Sequence, residues 1–360
     1  MPIRLPRPRL GRAFVARSLV LTALIVACTQ ETGDDAAREP AAAQPLRHEP
    51  VPVVPVPSTT VPFSTFPSTS VPSISAPPTA VPPATGPVPS AMDALAGPAA
   101  RGDLDVMTFN LRYASSTEPN SWAERRPVMR TLLRAEHPDL IGTQEGLADQ
   151  LRDVETDLGA GYDYIGVGRE RGGLGEHEAI FYDKARLQPE KTGNYWLSET
   201  PQVQGSTSWG ASNVRMVTWV LFADRETGRH FYAVNTHLDN HSENARRHAA
   251  ALIRQRLAAL GSLPILLIGD FNGQAKPGNQ VYQLLVGVVG LVDAWNVVPR
   301  RGPAYATIHN YQALVPNGER DDWILTTPGV TALAALMNTY RRGSQYPSDH
   351  LPVEARLRLP

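Results

Sequence analysis

Cysteine is nearly absent from this 360-residue chain. Cys28 is the only one, so no disulfide can form within the chain and the fold must be held by packing and hydrogen bonds. No apolar run reaches the roughly 20 residues that a membrane-spanning helix needs; the run near the start, SLVLTALIVA, has about half that length. An excess of charge of one sign is also lacking. The chain has 34 basic and 35 acidic residues; seven arginines and six acids precede Arg101, which leaves 27 and 29 from Arg101 onward. Such a balance lacks the broad basic face with which a protein neutralises many nucleic-acid phosphates, and leaves room only for a local basic cleft. From about Glu39 to Pro98, helical and alternating apolar periods are both missing and charge is almost absent.

What is present divides the chain into three materials. Residues 1–27 carry Arg4, Arg7, Arg9, Arg12 and Arg17 and then the apolar run, the order of an export signal. The run ends in LIVAC, which resembles the lipobox of bacterial lipoproteins. That resemblance implies acylation of Cys28 and an extracytoplasmic protein anchored to a membrane, with ordinary secretion as the alternative. Residues 28–99 read as a disordered tether rich in Pro, Ser, Thr and Val, since repeated proline removes amide donors and favours the extended polyproline conformation. At about 3 Å per residue, such a spacer could hold a domain more than ~100 Å from its anchor. Residues 100–360 are enough for one large α/β domain with a substantial core, expected to be monomeric.

Within that domain, LDVMTFNLRY, PDLIGTQEG, EAIFYD, RMVTWVLFAD, RHFYAVNTHL, PILLIGDFN, DDWILTT and LPVEARLRL read as strands. SWAERRPVMRTLLRAE reads as a helix despite its early Pro127. HSENARRHAAALIRQRLAALG reads as a second, capped by Ser242 and stopping at Gly261. This mixture favours layered sheet and helix over a repeat or a bundle. Asn110, Glu145, His237, Asp270, Asn272 and Asp322 fall at or near strand ends, from which distant residues can meet on one rim. Taken singly, each has an ordinary explanation. Glu145 in TQEG suits a solvated turn, and Asp270 in GDFN suits an Asx-turn.

Taken in order, the motifs TFNLRY, GTQEG, GEHEAIFY, NTHLDN, GDFN, DDWIL and SDHLP resemble the endonuclease/exonuclease/phosphatase superfamily typified by deoxyribonuclease I. GRERGGLGEHEAIFY, YWLSETP and NTHLDN are similar to its uncharacterised bacterial branch. The resemblance implies a four-layer αββα sandwich, two packed mixed sheets flanked by helices, with a metal-dependent phosphoester hydrolase site on one rim. It implies Mg²⁺ or Mn²⁺ held by Asn110, Glu145 and Asp349. His350 is implied as the general base oriented by Asp322, and His237 as a phosphate contact with Glu176 as its carboxylate partner. Asp270 and Asn272 are implied to position the nucleophile, stabilise the transition state or bind a second metal. The family's AP endonucleases carry an aspartate where this chain has Arg112, which points to a phosphate contact there. Arg169 and Arg215 are further phosphate clamps, because a guanidinium fork fits phosphate oxygens. His177, His230, His241, His248 and His309 read as surface residues.

The substrate class stays open in three directions: a phosphodiester such as nucleic acid; a small phosphoester or lipid headgroup; or no reaction at all, in a surface-binding module. The set Glu145, His237, Asp270, Asn272, Asp322, Asp349 and His350 is complete, which weighs against the last.

Overall fold

The computed structural model describes residues 88–360. The expected export signal, Cys28 and most of the expected tether lie outside the described residues. Along the chain the strands are β1 (Asp103–Asn110), β2 (Leu140–Gln144), β3 (Tyr162–Ile165), β4 (Ile180–Asp183), β5 (Leu187–Trp196), β6 (Met216–Asp224), β7 (His230–His237), β8 (Ile265–Asp270), β9 (Val292–Asp293), β10 (Arg300–Arg301), β11 (Asp322–Thr326), β12 (Thr331–Met337) and β13 (Val353–Arg358). The longer helices are α1 (Ala91–Ala96), α2 (Trp122–Glu136), α3 (Ala148–Leu158) and α4 (Glu243–Ala258).

The strands form two mixed sheets, ordered β10-β12-β13-β1-β2-β4-β3 and β5-β6-β7-β8-β11-β9. The central strands are buried on both faces and therefore sort their side chains by parity. Leu104 and Val106 of β1, Leu266 and Ile268 of β8, and Val353 and Ala355 of β13 meet in the core between the sheets. The opposite parity, Met107, Phe109 and Ile141, packs on Met129 and Leu132 of α2 and Leu151 of α3. On the far side Val234, Leu267 and Trp323 pack on Ala249, Ile253 and Leu257 of α4. The order helix, sheet, sheet, helix is the four-layer sandwich expected from the motifs.

Pro127 stands at the sixth position of α2 without ending it, and a Ser121–Glu124 capping box secures the first turn. Ser242 caps α4 as expected, but that helix ends at Ala258, before Gly261, as Leu260 N bonds back to Leu257 O at 3.0 Å. The tether expectation needs correction at its C-terminal end. Residues 91–96 form α1, capped by Ser90, and Met92 packs on Ala334 and Leu336 of the first sheet. Ser90 Oγ donates to Glu136 at 2.8 Å, and Arg356 donates to Asp93 at 2.8 Å. The folded region thus begins before residue 100.

Candidate active site

Three neighbouring strands of the second sheet end level with one another. The register pairs His237 of β7 with Asp270 of β8, and Asp270 with Asp322 of β11. All three share the parity of the inter-sheet core, so the row points between the sheets, where Asn110 arrives from the end of β1. Asn110 Nδ2 donates to Glu145 Oε1 and to Asp270 Oδ2, both at 3.0 Å, and so joins the two sheets through a fully buried amide. Glu145 and Asn272 sit just past their strands with φ of 63° and 46°, the left-handed region that turns a side chain back across a strand end.

The two histidines are held differently. Asn272 Nδ2 lies 3.0 Å from the Leu238 carbonyl and 2.9 Å from His237 Nε2, so the amide nitrogen faces both and Nε2 is the acceptor. The proton of His237 is therefore on Nδ1, which is buried without a partner among the described residues. Burial, with Arg215 and Arg169 nearby, holds the His237 pKa well below its usual range, and the ring is neutral. His350 enters from the opposite sheet, just before β13, with Nδ1 3.0 Å from Asp322 Oδ2 and 3.9 Å from Asp270. Burial disfavours its imidazolium, but Asp322, Asp270 and Asp349 overcome that and push the pKa well above the usual value. Burial and the neighbouring Asp322 also raise Asp270, to about 7.

The segment before β13 is clamped to the first sheet. Ser348 Oγ donates to the Asn110 carbonyl at 2.7 Å, and His309 N donates to the Asp349 carbonyl at 2.8 Å. Asp349 is ion-paired with Arg112 at 2.9 Å, and Arg112 lies over the Tyr311 ring at 5.1 Å. Arg112 is thus fixed at the rim by a carboxylate.

Arg169 and Arg215, both buried, flank His237 as a second group, and the Trp196 indole donates to the Arg169 carbonyl at 2.6 Å. The expectation that Glu176 partners His237 is corrected here. Glu176 pairs with Arg169 at 2.5 Å. Glu178, one strand period further on, is the buried carboxylate of this region, and neither of its oxygens has a partner among the described residues. Its parity is that of Ile180 and Tyr182, which face the inter-sheet core. The alternation of GEHEAIFY was the signal that could have marked Glu178, two residues on, as the inward-facing carboxylate.

A divalent metal fits this set on donor chemistry. Asp270, Asp322 and His350 bring ligand atoms within 4.8 Å of one another, and Glu145, Asn110 and Asp349 add further oxygens around the same rim. Oxygen-rich sets of this kind suit hard cations.

The family model described as Endonuclease/Exonuclease/phosphatase family matches residues 107–350. The chain belongs to the endonuclease/exonuclease/phosphatase family. It is a hydrolase of phosphoester bonds, and the row of site residues spans the matched region. Among solved structures, an endonuclease/exonuclease/phosphatase from Bacteroides vulgatus is 32% identical with a TM-score of 0.67, covering 72% of this chain and 99% of that one. A mannosyl-6-phosphatase from Bacteroides thetaiotaomicron is also 32% identical, with a TM-score of 0.65, covering 71% and 99%. The uncharacterized protein L388 of Acanthamoeba polyphaga mimivirus is 30% identical over 194 residues, 48% of this chain and 68% of its own.

In this endonuclease/exonuclease/phosphatase domain, two of the histidines expected at the surface are buried. His177 Nδ1 lies 3.1 Å from the Gly146 carbonyl, where two isolated bridges draw in its backbone. His309 accepts from Tyr311 N at 3.1 Å and packs on the Tyr346 ring, and burial lowers its pKa to about 4. Both support loops that flank the site.

Glu178 has a consequence for stability. Burial raises its pKa to about 8, against the pull of Arg169 and Arg215. The unfolded chain releases this proton at ordinary carboxylate pH while the folded chain keeps it. Stability from this group is therefore complete at low pH and falls as pH rises towards 8. Urea midpoints of Glu178→Gln should fall less between pH 5 and pH 8 than those of the unaltered protein. Parallel slopes would contradict the burial argument.

Proposed function

We propose that this enzyme hydrolyses the phosphate monoester of a small, sugar-like molecule, with Mg²⁺ or Mn²⁺, by direct attack of water. The observation that carries this reading is the buried pair Arg169 and Arg215 beside neutral His237. Arg215 has Nε and Nη1, and Arg169 has Nε, buried without a hydrogen-bond partner among the described residues, while Arg169 Nη1 is held by Glu176 at 2.5 Å. A terminal phosphate offers two charges and three oxygens to such a pair, more than a diester offers. The likeness to a phosphatase of a sugar phosphate supports the same class. The near balance of charge beyond Arg101 favours a small substrate over a nucleic-acid duplex.

Each residue then has a task. Arg169 and Arg215 hold the phosphate oxygens, and Asn272 keeps His237 Nε2 turned to the row. Asp322 fixes His350 at Nδ1 and leaves Nε2 to take a proton from the attacking water. The surrounding carboxylates charge this ring at rest, so its basic form requires that their charge be compensated. Glu145, Asn110 and Asp349 would hold the metal, which when bound polarises the phosphate and offsets that negative charge.

The test is a comparison of hexose 6-phosphates, phosphodiesters and oligonucleotides with Mg²⁺, with Mn²⁺ and with EDTA. Monoester turnover that EDTA removes is expected. Cleavage of diesters without monoester turnover would overturn the substrate class, and full activity in EDTA would overturn the metal requirement.

A further inference from the structure

A cavity of about 620 Å³ lies beside the catalytic row, between the segment that follows β8 and the β10–β12 edge of the first sheet. Lys276, Trp295, Arg301, Asn317, Glu319 and Arg320 are among its lining residues. We propose that this cavity is a second anion site that takes a phosphate group. Three cations and one carboxylate line it, an excess that the balanced composition of the domain does not require.

Two of the cations are held in place before any ligand arrives. Arg301 lies 5.6 Å from the Trp295 ring and donates to the Trp295 carbonyl at 3.0 Å; Arg320 lies 5.8 Å from the same ring. Gathering two guanidiniums on one indole costs mutual repulsion, and an anion between them would relieve it. Asp293 pairs with Arg320 Nη2 at 2.5 Å and accounts for that branch as a structural ion pair. It does not account for Arg320 Nη1, which is buried without a partner, nor for Arg301 and Lys276 at the mouth.

The walls of the cavity continue the strands that carry the catalytic residues. Lys276 lies on the segment after Asp270 and Asn272, and Arg320 precedes Asp322. The two segments are tied by Phe271 N to the Asp321 carbonyl at 2.8 Å and Ala275 N to the Arg320 carbonyl at 2.9 Å. A phosphate here has two sources: a second phosphate on the substrate, or free inorganic phosphate.

Equilibrium dialysis of the full chain against labelled inorganic phosphate in EDTA should count two equivalents, one in this cavity and one at the Arg169–Arg215 group of the proposed function. Lys276→Gln/Arg301→Gln changes two exposed side chains and should lose one equivalent, its binding weakened about tenfold or more. His237→Ala should lose the other. An equivalent count that the double variant leaves unchanged, whether one or two, would overturn the proposal; a single equivalent that the double variant removes and His237→Ala keeps would support the cavity and overturn the phosphate reading of the Arg169–Arg215 group. The source is read from kinetics, an arm that rests on the proposed monoester activity. A rise in the ratio of KM for a hexose bisphosphate to KM for a hexose monophosphate identifies a substrate phosphate. Loss of inhibition by inorganic phosphate, with that ratio fixed, identifies the free anion.

Discussion

Replacing His350 by alanine should lower kcat per folded molecule by about three orders of magnitude, because the ring contributes chemistry that water cannot replace, and should lower the urea midpoint as well, because buried Asp322 and Asp270 lose their cation. The expectation rests on position. His350 stands where the entrance to β13 meets the row His237, Asp270, Asp322, and its Nδ1 is fixed by Asp322 at 3.0 Å. The variant also removes a positive charge facing Asp322, Asp270 and Asp349, so those carboxylates should bind a divalent cation more tightly even as turnover falls. Asp322→Asn separates orientation from charge. It keeps the shape, offers Nδ1 an amide in place of a carboxylate, and should return the His350 pKa towards its ordinary value, shifting the acid limb of the rate profile downwards. Activity of His350→Ala within tenfold of the unaltered protein would remove His350 from the proton-transfer step.

The row of candidate residues was legible because it lies on central strands. These are buried on both faces, so their sequences are nearly continuous apolar runs, and the polar residues that close or precede each run mark the rim. This is how VNTH, IGD and the SDH before LPVEARL announce themselves. Edge and helix-like strands gave no such mark. β12, TALAALM, is built of good helix formers and is extended only because β13 and β10 pair with it. β5 contains Pro189 and Gly193, and a register shift between Pro189 and Lys191 absorbs the proline. The buried histidines escaped for a related reason. His177 and His309 are covered by loops, and burial by a loop leaves no period in the sequence. Glu178 differs again: its strand was recognised, but the motif it belongs to offered a closer glutamate, and only the structure shows Glu176 turned to Arg169.

Arg125 is a fully buried residue that sequence reading passed over, and Arg125→Met should cost about 3–5 kcal/mol of stability. It sits on α2 in a run that reads as an ordinary charged face, AERR, yet it is fully buried. Its Nε donates to the Asn120 carbonyl at 2.9 Å, Nη1 to Leu111 at 2.7 Å and Pro347 at 3.1 Å, and Nη2 to Arg112 and Tyr113, each at 3.1 Å. All five donors of the guanidinium are used, and all five acceptors are main-chain carbonyls. Three of these leave β1 directly after Asn110, and one stands two residues before Asp349, so a single side chain fixes the first sheet's contribution to the rim. Methionine fills much of the same space but leaves five carbonyls without that donor, so the loss is one of hydrogen bonding more than of packing. Lysine restores charge with three donors on a flexible stem and should recover only part of the loss. The variants should also lose kcat more than the change in folded fraction explains, since Asp349 and His350 are no longer held against Asn110. A midpoint shift equivalent to less than ~1 kcal/mol for Arg125→Met would show that water satisfies these carbonyls and that the segment before β13 is placed by other contacts.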